Sequence, residues 1–179
     1  MNDRERLIAC VKGLPVDRPP YYLFWGPWDT TWNRWRSEGM PNSLQSFYDV
    51  QQMFGSDPIP TDCVVPVNLG PCPTIEKTIL SEDENEIVFI DSWGIKRRDL
   101  KTITSMSQFL EFPVKNRKSW EVYKEKWLNP EDPRRLDGNW REICNQWKAK
   151  GYPIQLGWYP DAGVFGPFRW LMGDEEGLV

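Results

Sequence analysis

Histidine is absent from all 179 residues. That removes the side chain that most often acts as a general base near neutral pH and most often ligates a metal. Long apolar runs are missing as well. No stretch reaches the ~18 residues that a membrane-spanning helix requires, so no membrane partner is expected. The opening "MNDRERLIACVKG" is charged almost from its start, which reads against a secretory signal and predicts a cytoplasmic chain. There is no basic excess either. The net charge is −4 with both signs scattered, so no nucleic-acid partner is expected. Four cysteines, Cys10, Cys63, Cys72 and Cys144, lack C-x-x-C spacing and read as free, mostly buried thiols.

What the chain has in abundance is aromatic. Eleven residues are tryptophan, so ring packing must dominate the core. Asn2 with Glu5 three residues later predicts a capping box. The helix it starts carries Leu7, Ile8 and Val11 on one stripe and stops at Gly13 and Pro15. "VDRPP" then leads into Tyr21–Trp25, a short apolar run that reads as a buried parallel strand. Trp28, Trp32 and Trp35 at i, i+4 and i+7 predict a helix, with Trp32 and Trp35 packed toward the core. Ser43 is the expected cap of the next helix, with Phe47, Val50 and Phe54 inward and Gly55 closing it. "CVVPVN" (63–68) is apolar, but Pro66 argues against a central strand.

"TIEKTIL", "NEIVFID" and "GIKRRDL" predict an antiparallel meander over about 74–100, with Arg97 and Arg98 on a solvent-facing strand edge. "SWEVYKEKW" places Trp120, Tyr123 and Trp127 on one helical face. "NWREICNQWKAKG" does the same for Trp140, Ile143, Cys144 and Trp147. "YPIQLGWY" reads as a second buried strand, followed by the broken loop "PDAGVFGP" and a helix start at Phe168–Met172. Strands alternating with helices predict an α/β chain with a parallel sheet. Only two or three barrel-type strands are present where a closed barrel needs eight, and "GDEEGLV" completes no unit, so an incomplete barrel is expected.

Five segments in one order, "RERLIACVKGLPVDRPPYYLFWGPW", "FGSDPIPTDCVVPVNLG", "DSWGIKRR", "FPVKNRKSWEVYKEKW" and "GVFGPFRWLMG", resemble the amino-terminal half of the uroporphyrinogen decarboxylase superfamily. The likeness is greatest to its decarboxylase-like branch, which includes corrinoid and coenzyme M methyltransferases. It implies a partial TIM (β/α)8 barrel over residues 1–179, with the meander as an insertion and the site at the carboxyl ends of the strands. It also implies an enzyme, either a decarboxylase of the porphyrin-biosynthesis type or a methyltransferase, acting on a small-molecule substrate. By the same resemblance, Asp62 in "TDCVVPVNLG" is the catalytic aspartate, with Asp57 in "FGSD" its rival.

The chain departs from the haem-pathway branch where that branch carries two substrate-clamping arginines. Here the passage reads "FWGPWDTT", with Trp25 and Trp28 near those positions. Indoles in place of guanidiniums suit a flat aromatic or modified pyrrole better than a multiply charged substrate. Asn68, Asp161 and Arg169 complete the expected substrate-binding set, although Asn68 reads more simply as satisfying a loop and the other two as a solvated ion pair. No cofactor is expected in this chain, since the resemblance assigns zinc or corrinoid chemistry to the later half of the barrel. An open half barrel leaves sheet edges unpaired, so a second copy of the chain is one expected partner; methyl transfer would add a corrinoid protein. A truncated, non-catalytic module is the competing expectation.

Overall fold

A computed structural model describes residues 1–22, 26–57, 63–103, 105–157 and 163–177. The chain divides into two compact units. The first comprises Met1–Val65 and Asn139–Leu156, the second Pro66–Gly138 and Gly157–Val179.

In the first unit α1 (Asp3–Val11) begins as expected. Asn2 Oδ1 accepts from Glu5 N at 2.8 Å and Glu5 Oε2 accepts from Asn2 N at 3.0 Å. Gly13 follows with φ of 66°, a conformation that stops the helix. Helix α2 (Asp29–Ser37) forms where the tryptophan spacing predicts it, but none of its residues is buried. Trp32 and Trp35 pack on each other, with centroids 6.3 Å apart, and Arg36 lies 5.4 Å over Trp32. The remaining residues of "DTTWNRWRS" are polar or charged, so the stripe is too narrow to seat the helix in a core.

Helix α3 (Phe47–Met53) is capped by Ser46 rather than Ser43. The reason lies three residues on. Asp49 Oδ2 accepts from Ser46 N at 2.8 Å and closes a capping box, whereas the third residue after Ser43 offers no carboxylate. Val50 is the buried apolar residue of α3, and Phe54 stays exposed beyond its end.

The second unit holds the meander: β1 (Thr78–Glu82), β2 (Glu86–Ile90), β3 (Lys96–Leu100) and β4 (Gln108–Glu111), antiparallel in that order. Asp83 Oδ1 accepts from Asn85 N and Glu86 N at the first turn, and Asp91 Oδ1 from Trp93 N and Ile95 N at the second. β4 lies beyond the predicted meander because "QFLE" is short and carries no alternation. Helix α4 (Arg117–Trp127) follows, with Asn116 as cap and Ser119 closing its box.

Chain order then returns to the first unit with α5 (Trp140–Ala149), whose buried residue is Cys144, and α6 (Phe165–Gly177), broken at Gly173, ends the second. The core of the second unit is Trp93, Ile95, Val114, Tyr123 and Leu171, and Tyr123 Oη donates to Trp93 O at 2.9 Å.

The fold is therefore mixed, helices with a four-stranded antiparallel sheet. Among the described residues, parallel pairing is one bridge in the first unit, Val64 with Gln155. It is fixed by Val65 N donating to Gln155 O at 2.9 Å and Gln155 N to Cys63 O at 3.1 Å. Pro66, which has no N–H, marks the unit boundary, and Val67 beyond it bridges antiparallel to Leu136 instead. Tyr21 and Tyr22 are not in strand, and the rest of the run expected at 21–25 lies outside the described residues. Among the described residues no helix is long and apolar enough to cross a membrane.

Candidate functional site

The densest charge cluster of the first unit is built by the residues that carry the resemblance at the amino terminus. Arg6 Nε and Nη2 donate to the two carboxylate oxygens of Asp17 at 2.8 and 3.1 Å. Its Nη1 reaches Asp3 at 2.8 Å and Asp57 at 3.3 Å, and Nη2 also meets Met1 O at 2.8 Å. The α-ammonium of Met1 lies 3.2 Å from Asp17 Oδ2. Asp57 is only 2% exposed and accepts from Arg6 Nη1, from Arg18 Nη1 at 3.0 Å, from Arg18 Nη2 and from Tyr21 N at 3.0 Å.

Three carboxylates thus face two guanidiniums and one ammonium, a balanced set. The Arg6 hydrogen bond holds the Asp17 carboxyl far below its ordinary range. Burial opposes ionisation of Asp57, but the hydrogen bonds from Arg18 and Tyr21 N and the charges of Arg18 and Arg6 outweigh it and keep its carboxyl lowered. With its acceptor positions taken by these donors, Asp57 is held as part of the fold.

Beside this cluster sits a residue the sequence reading passed over. The Tyr22 hydroxyl is buried and has no hydrogen-bond partner among the described residues. Burial raises its pKa to about 12, helped by the Asp57 and Asp3 charges. A buried hydroxyl without a partner costs roughly what its lost water bonds were worth. Replacing Tyr22 by Phe is therefore expected to leave stability unchanged or raise it by up to about 1 kcal/mol in urea unfolding. A clear loss would show that the hydroxyl holds a structural bond.

Of the six expected site residues, Trp25, Asp62 and Asp161 lie outside the described residues. Trp28 is the N-cap residue of α2 and is 52% exposed. In the second unit Asn68 serves its own loop: Oδ1 accepts from Gly70 N at 2.9 Å and Nδ2 donates to Pro71 O at 2.9 Å. It borders a hollow of about 550 Å³ together with Asp132 and Arg135. Arg135 donates to the carbonyls of Asn129, Asn68, Gly70 and Trp127 at 2.6 to 2.9 Å. At the edge of that hollow, hydrogen bonds from the neighbouring Arg134 hold the Asp132 carboxyl well below its usual range. Arg169 pairs with Asp174, Nε to Oδ1 at 2.5 Å, beside a recess of only about 20 Å³. Asn68 and Arg169 share neither cavity.

Arg97 departs from its expected place at a solvent-facing edge. Its side chain is 14% exposed, with the guanidinium carbon 4.7 Å from the Phe109 centroid and 4.3 Å from that of Trp170, and Nε 2.6 Å from Asp91 Oδ2. Strand alternation next to "QFLE" is the signal that would have turned Arg97 inward and Arg98 outward. Among the described residues no group of three His, Cys, Asp or Glu is placed to hold a metal ion. Comparison with protein-family models, with curated proteins and with solved structures finds no match to this chain.

Proposed function

We propose that this chain is the amino-terminal portion of a uroporphyrinogen decarboxylase-like (β/α)8 barrel that acts on a small aromatic or tetrapyrrole-related carboxylate. The observation carrying the reading is the parallel bridge between Val64 and Gln155. Helix α5 lies between the two bridged segments in sequence, so the order is strand-like segment, helix, parallel strand-like segment. That order is the one a barrel's repeating unit has, with Pro66–Gly138 inserted in sequence, and it supports the reading. Asp62 directly precedes the bridged stretch in sequence, and Trp28 follows the Gly-Pro after the first apolar run.

In this reading Asp62 supports the positive charge that develops as a pyrrole or related ring is protonated. The carbon–carboxylate bond then breaks, its electron pair returns to the ring and neutralises it, carbon dioxide leaves, and the proton already added is the one that replaces it in the product. Trp25 and Trp28 are the aromatic walls this reading expects for the flat ring. Methyl transfer through a zinc site from further barrel units is the alternative chemistry of the same family.

The test is carbon dioxide release, followed by mass spectrometry, from a panel of aromatic and pyrrole carboxylates. Release is expected from the native protein and is expected to be lost in Asp62→Asn with unchanged thermal unfolding. Equal release from the variant, or none from the native protein on any member of the panel, overturns the reading.

A further inference from the structure

We propose that a hollow between α4 and α6 is a separate small-molecule site, and that its ligand is a flat aromatic anion. The proposal does not rest on the barrel reading, because every residue it uses lies in the second unit. The hollow measures about 450 Å³, within the range of small-ligand pockets.

Its walls are Val114, Trp120, Phe168, Leu171 and Met172. Val114 and Leu171 are buried and belong to the unit's core. Val114 N donates to Leu171 O at 3.0 Å, so the floor is tied by main chain before any ligand arrives. Phe168 remains 40% exposed at the wall. Two aromatic rings and a thioether make a surface suited to a planar apolar body.

The lining is not apolar throughout. Among the described residues Arg117 is the charged side chain that lines it, with the Asn116 amide beside it. Arg117 occupies the first turn of α4, which holds no acidic residue, and a cation there is disfavoured by the helix dipole. Its side chain is 84% exposed, with Nη2 2.6 Å from Glu121 Oε1. The exposed planar fork, with the positive end of α4, favours a carboxylate or sulfonate at the mouth. A hollow of this size holds one or two fused rings bearing such a group.

The test uses 1-anilinonaphthalene-8-sulfonate and its uncharged counterpart N-phenyl-1-naphthylamine, titrated against the intact chain with probe fluorescence as readout. One-to-one binding of both is expected. Arg117→Glu, at an exposed position, should weaken the sulfonate at least tenfold and leave the uncharged probe within twofold. Phe168→Glu should weaken both at least fivefold. Val122→Glu, in the neighbouring cleft lined by Ile75 and Trp127, should change neither. Unchanged sulfonate binding in Arg117→Glu overturns the proposal, as does a loss caused by Val122→Glu. A dimer that Phe168→Glu dissociates, seen by light scattering, overturns it too, since a second copy would then fill the hollow.

Discussion

Asp57→Ala is expected to lower the free energy of unfolding by about 3 kcal/mol, measured by urea denaturation, the lower end of the range for breaking a buried ion pair. The side chain is almost wholly buried, yet its partner Arg18 is nearly half exposed, so water recovers part of the lost interaction. What remains is Arg6, a buried guanidinium facing one carboxylate fewer. Asp57→Asn keeps the shape and loses the charge, and is expected to fall between Asp57→Ala and the native chain.

The same cluster sets a pH dependence. Asp57 and Asp17 both have carboxyls lowered in the folded state. Their contribution is complete above the unfolded carboxylate range, near pH 4, and drains away as pH falls toward the lowered folded values. The thermal midpoint should therefore be flat through neutrality and drop below about pH 4, with a shallower acid limb in Asp57→Ala. A stability change confined to the neutral range would contradict the assignment.

Gly173→Ala is the second large effect, and it acts through the backbone. Gly173 has φ of 79° and ψ of 177°, a region open essentially to glycine alone. A Cβ built there would stand 2.6 Å from Phe112 Cε2 and 2.7 Å from Cδ2. Conformational strain and overpacking together predict a loss of about 2–4 kcal/mol. Phe112 packs against the core of the second unit and on Phe109, so relief by moving the ring would disturb that packing. An alanine variant as stable as the parent in urea would show that the bend in α6 is dispensable. Phe112→Ala combined with Gly173→Ala should recover less than the whole loss, because only the clash is removed.

Local chemistry was legible in the sequence where a short-range hydrogen bond decides it. The Asn2–Glu5 box, the stop at Gly13, the meander and the buried Cys144 face of α5 are all in place. Spacing failed where burial decides. Trp28, Trp32 and Trp35 have helical periodicity, but periodicity says which residues share a face and not whether anything covers it. Arg97 is charged yet lies inside, where two aromatic rings and the nearby Asp91 charge offset its burial, so charge alone does not predict exposure.

Site residues were harder still. A motif such as "VDRPP" reads as function or as structure until its partners are known, and the partners of Asp17 and Arg18 are structural carboxylates and guanidiniums. Asn68 shows the same outcome, its amide spent on Gly70 and Pro71.

Among the described residues Arg135 grips only peptide oxygens, those of Asn68, Gly70, Trp127 and Asn129. Every amino acid supplies such an oxygen, so the junction is indifferent to most spelling changes in the loops it fastens. It is sensitive to length instead, because inserting or deleting one residue carries the oxygens away from a planar fork that has no slack to follow.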